Sequence, residues 1–248
     1  MGTQPGGPLL SCTGLTKYFG GVKALENVDI VVNEREIAGI IGPNGSGKTT
    51  FLNVVSGIYA PTAGSVVFEG RDITGLPSHR ITKEGIGRTY QNIRLFRNQT
   101  CEENVLVGMH TKRSPWSGRR QSMRRVTELL DFVGLTARRK ALSSSLPYGD
   151  QRKLEIARAL AADPVLLLLD EPGAGMGVKE AEALSDLFLE LRRMGTTMLI
   201  IDHNMKVIMN VVDKVAVLDA GKKIKEGLPA DIQADPEIQE LYFGERQC

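Results

Sequence analysis

Residues 42–49 of this 248-residue chain read GPNGSGKT, a glycine-rich loop that closes on Lys48 and Thr49. The apolar run at residues 37–41 predicts a buried strand before the loop, and residues 50–55 continue after it as a helix. Glycines let successive N–H groups turn inward around an anion, and the positive end of the helix lies at the same place. The lysine then reaches the β- and γ-phosphates of a nucleotide, while the threonine hydroxyl binds Mg²⁺. The stretch predicts a phosphate-binding loop.

The composition is that of an ordinary soluble globular protein. Hydrophobic residues make up 42% and charged residues 24%, and the formal net charge of +2 calls for neither nucleic acid nor an acidic partner. The three cysteines, Cys12, Cys101 and Cys248, are scattered, which fits a reducing cytoplasm better than a disulfide framework or a metal site. Residues 1–9 lack the pattern of a secretory signal and predict a disordered lead. No apolar run approaches the roughly 20 residues that span a bilayer.

Strands and helices alternate along most of the chain. The run at residues 165–169 is continuously apolar, as in strands that are buried on both faces of a parallel sheet. Residues 180–193 carry apolar side chains on one side of a helix. Further strands are predicted at residues 10–19, 28–32, 37–41, 65–68 and 197–201, a helix at 206–212, and a hairpin at 215–218 and 223–225. The alternation predicts an α/β fold with a mostly parallel sheet flanked by helices.

The character of the chain changes between the glycine-rich loop and the last strands. Apolar residues recur at helical spacing over residues 124–133, which predicts a helical subdomain at about residues 94–162, inserted into the α/β body. Basic residues cluster there at Lys112-Arg113, Arg119-Arg120, Arg124-Arg125 and Arg138-Arg139-Lys140. Such clusters favour a solvated face; the alternative is a surface that lies near anionic lipid headgroups.

A second chemical signal is LLLLDEP at residues 166–172. Carboxylates at the carboxyl end of a buried parallel strand lie where α/β folds place their ligands. Asp170 is predicted to hold Mg²⁺, and Glu171 to accept a proton from the water that attacks the γ-phosphate. His203 follows the strand at residues 197–201 and is predicted to donate a hydrogen bond to the γ-phosphate. Gln91 carries no signal by itself.

Together these motifs resemble those of the ATP-binding cassette (ABC) ATPases, over residues 10–244. Residues 42–49 resemble the Walker A loop, residues 166–171 Walker B, Gln91 the Q-loop and His203 the switch histidine. The resemblance implies a P-loop NTPase fold with an N-terminal antiparallel β subdomain, a RecA-like core and the inserted helical subdomain. It leaves residues 245–248 as a tail.

The resemblance also implies roles for individual residues. Catalysis falls to Lys48, Gln91, Glu171 and His203, and the metal ligands are Thr49, Gln91 and Asp170. ATP and Mg²⁺ are the implied cofactors, and Phe19, in preference to its neighbour Tyr18, is the aromatic ring that stacks on adenine. The ATP-binding residues are Phe19, Gly42, Pro43, Asn44, Gly45, Ser46, Gly47, Lys48, Thr49 and Thr50. The family signature, usually LSGGQ, corresponds to Leu146, Pro147, Tyr148, Gly149 and Asp150, and the D-loop to residues 173–177.

Within the family, three stretches resemble the ATPases of branched-chain amino acid importers. They are RTYQ at residues 88–91 followed by RLF at 94–96, LEIAR at 154–158 and YFGE at 242–245. This resemblance implies an ATP-hydrolysing subunit, peripheral on the cytoplasmic face of the inner membrane. Its partners would be a second ATPase subunit (the same chain or a different one), integral-membrane permease subunits and, indirectly, a solute-binding protein, with no nucleic acid. The alternatives are an ATPase of lipopolysaccharide export, suggested by DHN at 202–204, and a soluble non-transport ABC ATPase.

The signature departs from the family pattern at three positions, and at one of them, where Tyr148 replaces the first glycine, the importer branch often tolerates the change. In the family, the signature of one ATPase contacts the γ-phosphate bound by the other. Pro147 replaces the serine and removes both a hydroxyl and an N–H group, although a proline fits the first turn of a helix. Asp150 replaces the glutamine and would repel phosphate. The hypothesis is an asymmetric pair in which only the site completed by the partner's signature hydrolyses ATP rapidly.

Overall fold

The computed structural model describes residues 7–111, 118–202 and 208–243. The strands in these ranges are β1 (Pro8–Phe19), β2 (Val22–Asn33), β3 (Ile37–Ile41), β4 (Ala63–Phe68), β5 (Arg71–Asp72), β6 (Ile86–Arg88), β7 (Leu166–Asp170), β8 (Thr197–Ile201), β9 (Lys214–Asp219) and β10 (Lys222–Gly227). The helices are α1 (Lys48–Val55), α2 (Ser78–Glu84), α3 (Cys101–Gly108), α4 (Arg119–Phe132), α5 (Tyr148–Leu160), α6 (Val178–Arg193), α7 (Pro229–Ala234) and α8 (Pro236–Phe243). Short 3₁₀ turns cover Met109–Thr111, Thr136–Arg138 and Ser143–Ser145.

The larger sheet has six strands in the order β10-β9-β3-β8-β7-β6. Strands β9, β3, β8, β7 and β6 run parallel, and β10 joins β9 as an antiparallel hairpin. Every residue of β3, β7 and β8 is buried, which is why these strands are apolar along their whole length. The carboxyl ends of β3, β8 and β7 lie side by side, so this order positions the candidate site. The predicted mostly parallel sheet is confirmed.

The smaller sheet is antiparallel, in the order β2-β1-β4-β5, and confirms the predicted N-terminal antiparallel part. β2 begins at Val22, six residues before the predicted strand, because its first half is half-exposed and paired through its backbone, and so lacks an apolar signal. β1 begins at Pro8, and Leu9 is buried. The predicted lead over residues 1–9 is therefore wrong for Pro8 and Leu9, and residues 1–6 lie outside the described ranges.

Three helices, α3, α4 and α5, lie within the predicted helical insertion and share one apolar core with the large sheet. Residues 206 and 207 of the predicted helix at 206–212, and the tail at 245–248, fall outside the described residues. Of the described residues 208–212, only Ile208 is helical, and residues 209–211 form a turn. In the described ranges, no helix combines the length and the apolar character needed to cross a membrane.

Several residues of the basic clusters in the insertion form ion pairs in the described part of the chain. Arg125 pairs with Asp163, and Arg139 and Lys140 both pair with the buried carboxylate of Glu102. Lys112 and Arg113 lie outside the described residues. These contacts agree with the solvated-face interpretation, because acidic neighbours already balance part of the charge.

Candidate nucleotide-binding site

The glycine-rich loop connects β3 to α1 and needs glycine for its shape. Gly47 caps α1 with φ of 103°, in the left-handed region that disfavours side chains. A Cβ atom at Gly47 would lie 2.5 Å from the carbonyl oxygen of Ala24 in β2. The helix therefore begins directly at the loop, and its positive end favours an anion there.

A cavity of about 400 Å³ lies over this loop. It brings together the loop, the start of β2, the end of β7 and the β9–β10 turn. Its lining residues are Val22, Lys23, Ala24, Asn44, Gly45, Ser46, Gly47, Lys48, Thr49, Thr50, Gln91, Glu171 and Ala220. Most of the predicted ATP-binding residues thus meet Gln91 and Glu171, which are distant in sequence. Phe19, Gly42, Pro43 and Asp170 do not line it.

The Lys48 side chain lies inside the loop. Its ammonium donates to the carbonyl oxygens of Gly42, at 2.7 Å, and Pro43, at 2.8 Å. Burial lowers the pKa of this ammonium, while the charges of Glu171, Asp170 and Asp202 oppose the shift. The arrangement places a cation under the loop and opposite carboxylates, as phosphate binding with a metal requires.

Glu171 lies at the end of β7, where the chain leaves the sheet. Its N–H group donates to the carbonyl oxygen of Ile201, and its φ of 45° is unusual for a residue with a side chain. Such backbone conformations persist where the surroundings fix them, commonly at functional sites. The Gln91 amide donates to a Glu171 carboxylate oxygen at 2.9 Å. The predicted Q-loop glutamine and the predicted general base are therefore in direct contact.

Asp170 lies behind Glu171 and pairs with Arg88 of β6, at 3.0 Å. Arg88 also donates to the Ser56 hydroxyl at the end of α1. Burial raises the pKa of Asp170, and the Arg88 charge opposes that rise. The second carboxylate oxygen, Oδ1, is buried and has no hydrogen-bond partner in the described part of the chain. Sequence reasoning gave Arg88 no role in the site, although an arginine that ends a strand beside an acidic strand end is a signal for such a pair.

The residues present fit Mg²⁺, which prefers oxygen ligands and keeps several waters. They offer the orphaned Oδ1 of Asp170, the Thr49 hydroxyl in the cavity lining and the amide oxygen of Gln91, whose nitrogen bonds Glu171. The metal assignments of Thr49, Gln91 and Asp170 stay predictions.

Phe19 lies beside the cavity rather than in its lining. The residue is 41% exposed, and its ring meets that of Tyr59 edge to face, with ring centroids 5.1 Å apart. The Lys17 ammonium lies 5.1 Å from the same ring. Val22, three residues further along, lines the cavity instead. Adenine stacking on Phe19 stays a prediction, and His203 lies outside the described residues.

The five signature residues lie around the start of α5, away from the cavity lining. The sequence placed Pro147 in the first turn of α5. In the structure it is the residue directly before the helix. Asp150 pairs with Arg138 at 3.4 Å, which offsets its negative charge. Leu146 is buried, Tyr148 is exposed, and a Cβ atom at Gly149 would meet the Glu180 carboxylate at 2.6 Å. These residues are not part of the site formed by this chain's own loop.

The strand–loop–helix with its buried lysine, set opposite the carboxylates that end β7, defines a P-loop nucleotide-binding protein. The chain matches the ABC transporter family over residues 25–174. This match covers more than half of the chain, and the chain belongs to that family.

Curated relatives extend the similarity to nearly the whole chain. The chain is 41% identical over 251 residues to "High-affinity branched-chain amino acid transport ATP-binding protein LivG" of Salmonella typhimurium, covering 96% of this chain and 98% of the relative. The identity to the protein named BraF of Pseudomonas aeruginosa, which has the same description, is 39% with the same coverage. "Lipopolysaccharide export system ATP-binding protein LptB" of Haemophilus influenzae is 34% identical over 238 residues, with 96% and 98% covered.

Solved structures share the fold. A nucleotide-free ATP-binding cassette from an ABC transporter superposes with a TM-score of 0.86 at 33% identity, covering 96% of this chain and 99% of that one. A dimeric post-hydrolysis cassette bound to ADP and Pi gives a TM-score of 0.80 at 29% identity, covering 89% and 98%. The predicted family and fold class are confirmed.

Proposed function

We propose that this protein is the ATP-binding and ATP-hydrolysing subunit of an ABC importer for a branched-chain amino acid or a related small solute. The observation that carries the proposal is the cavity in which the glycine-rich loop meets Gln91 and Glu171. The solute class rests on the relatives LivG and BraF, which exceed LptB in identity at equal coverage of this chain. Lipopolysaccharide export is the less favoured alternative.

The cavity residues divide the proposed reaction among them. The loop N–H groups and Lys48 bind the phosphates, with Mg²⁺ held by Thr49, Asp170 and Gln91. The metal, when bound, neutralises charge that builds up on the phosphate oxygens. Glu171 orients the attacking water and takes its proton, which the enclosed position of the carboxylate suits. In this proposal His203 donates a hydrogen bond to the γ-phosphate.

The proposed protein works on the cytoplasmic face of the inner membrane, bound to permease subunits rather than embedded. A second ATPase subunit supplies the signature that completes the site, as the dimeric arrangement of the related cassette supports. A solute-binding protein acts through the permease, and nucleic acid has no part. ATP binding closes the pair, and hydrolysis releases it.

The test is transport by the complex that co-purifies with this chain, rebuilt in liposomes that enclose ATP and Mg²⁺. We expect uptake of labelled leucine, isoleucine or valine in the presence of the solute-binding protein. Uptake should stop when the enclosed nucleotide is ADP, and the same complex carrying Glu171→Gln is the matched control. A complex that consumes ATP only with lipopolysaccharide would contradict the proposed solute.

A second test concerns the replaced signature serine. Pro147→Ser should raise ATP hydrolysis by a homodimer at least about tenfold, because a hydroxyl bonded to a charged phosphate is worth about 1.5–3 kcal/mol. The change also gives α5 a side-chain cap that Pro147 does not provide, and should not destabilise the fold. Pro147→Ala is the control, since it removes the ring without adding a hydroxyl. Equal turnover of Pro147→Ser and Pro147→Ala would contradict the hypothesis that the missing serine hydroxyl slows hydrolysis.

A further inference from the structure

Three side chains on one face of α5 bind the backbone of residues 90–94, the segment that carries Gln91. They are Arg152, Glu155 and Arg158, spaced at i, i+3 and i+6, and we call them the α5 clamp. Arg152 and Glu155 are completely buried, and Arg158 is 16% exposed at its side chain. The clamp lies outside the cavity lining.

Arg152 holds the two carbonyl groups on either side of the Gln91 nitrogen. It donates to the carbonyl oxygen of Tyr90 at 2.6 Å and to that of Gln91 at 2.8 Å. The same guanidinium is paired with Glu155 at 2.8 Å. A planar, forked cation suits this arrangement, because one rigid group serves several acceptors at fixed angles.

The other two clamp residues fix the far end of the segment. Glu155 accepts the N–H group of Arg94 at 3.1 Å, and Arg158 donates to the carbonyl oxygen of Arg94. The segment is thus bonded to α5 at Tyr90, Gln91 and Arg94. A buried ion pair is costly to desolvate, so its presence here needs a reason other than net stability.

The side chain of Gln91 carries the position of the segment into the candidate site. Its amide donates to Glu171 at 2.9 Å, so α5, Arg152, Gln91 and Glu171 form one continuous chain of contacts. Any displacement of α5 relative to β7 therefore changes where the Gln91 amide lies. This chain of hydrogen bonds is sufficient to couple the position of α5 to the contact between Gln91 and Glu171.

We propose that Arg152 is a positioning residue that sets the place of the Gln91 amide against Glu171. This inference rests on the proposed ATPase function and deepens it, because Arg152 acts on hydrolysis only through Gln91. If the proposal holds, α5 affects the rate of hydrolysis through Arg152 and does not affect nucleotide binding.

The first test is a double-mutant cycle between Arg152 and Gln91, read as kcat and KM for ATP. Arg152→Lys keeps a charge beside Glu155, but an ammonium cannot hold both carbonyl groups in the same geometry. We expect kcat to fall about tenfold, since small misplacements of a site group have effects of this size. The KM for ATP should stay within about twofold, because the loop contacts are untouched.

The Gln91→Ala variant shows whether Arg152 acts by positioning Gln91 or whether Arg152→Lys damages the site in general. Gln91→Ala alone should lower kcat, and adding Arg152→Lys to it should cause no further loss, because the group that Arg152 places is already gone. The control is Arg125→Lys on α4, which alters an arginine paired with Asp163 in the same helical part and should leave kcat unchanged. An equal further loss on the Gln91→Ala background, or a change in KM alone, would overturn the inference.

Hydrogen exchange supplies a readout that does not depend on activity. Arg152→Lys should speed exchange of the amides of residues 90–94 at least about tenfold while leaving those of β7 unchanged. Unchanged exchange at residues 90–94 would overturn the inference. A wild-type complex that hydrolyses no ATP would instead refute the proposed function, and exchange would still decide whether Arg152 holds the segment.

Discussion

Glu171→Gln is expected to lower ATP hydrolysis at least about 100-fold, the lower end of the contribution of a positioned general base. The amide has the shape of the carboxylate but cannot take a proton from water. The Glu171 side chain lines the cavity beside Lys48 and accepts the Gln91 amide. Glutamine can still accept that hydrogen bond through its carbonyl oxygen. ATP affinity should therefore change by no more than about threefold, a difference below 1 kcal/mol.

The measurement is phosphate release at saturating ATP, with nucleotide affinity followed by equilibrium binding. Glu36→Gln is the matched control, because Glu36 is also buried and accepts two hydrogen bonds from Asn33 but lies outside the cavity lining. The Glu36→Gln protein should hydrolyse ATP within about twofold of wild type, since Glu36 does not line the cavity that holds the residues assigned to the reaction. A Glu171→Gln protein that keeps a tenth or more of the wild-type rate would contradict the assignment of Glu171.

The parts of the site that the sequence predicted are those with a local signature. The loop at residues 42–49 needs glycine at specific turns, and Asp170 and Glu171 directly follow an apolar strand. Each pattern is contained within about ten neighbouring residues, so periodicity and composition reveal it. The parallel sheet that brings them together follows from the alternation of strands and helices.

The parts that the sequence did not predict depend on contacts between distant residues. Arg88 pairs with Asp170 across 82 positions, and Arg152 reaches Gln91 across 61. For Arg88 the one signal is that it ends a strand, and nothing near Arg152 in the sequence marks its partner, because a buried arginine resembles a surface one. The position of Phe19 against Tyr59 is likewise a tertiary contact, set by the loop after α1.

The segment after β6 is fixed from two sides by these arginines. Directly before the segment, Arg88 pairs with Asp170. Within the segment, Tyr90 and Arg94 are hydrogen-bonded to the α5 clamp. The Tyr90 ring lies against the guanidinium groups of both Arg88, at 4.9 Å, and Arg94, at 4.2 Å. Such contacts between cations and aromatic rings are stronger when buried. The segment thus joins β7, the strand that ends in carboxylates, to α5, the helix that begins within the signature-like residues.

Gly47→Ala should disable the loop by steric crowding. The added methyl group would lie 2.5 Å from the Ala24 carbonyl oxygen and 3.0 Å from Leu25, at a φ of 103° that alanine rarely adopts. Strain and overpacking together predict a fall of about 3 kcal/mol in the free energy of unfolding. Since the loop must shift away from β2, its N–H groups lose their aim, and ATP affinity should fall about 100-fold.

Gly45→Ala separates crowding from backbone strain. Gly45 lies in the same loop with φ of 80°, but a Cβ atom there would meet nothing within 4 Å. The free energy of unfolding of Gly45→Ala, measured in urea beside that of Gly47→Ala, should therefore fall only by the cost of the left-handed conformation, about 1–2 kcal/mol. Nucleotide titration should show the larger loss of affinity for Gly47→Ala. Equal losses of stability in the two variants would mean that β2 yields to the methyl group and that contact with Ala24 does not set the shape of the loop.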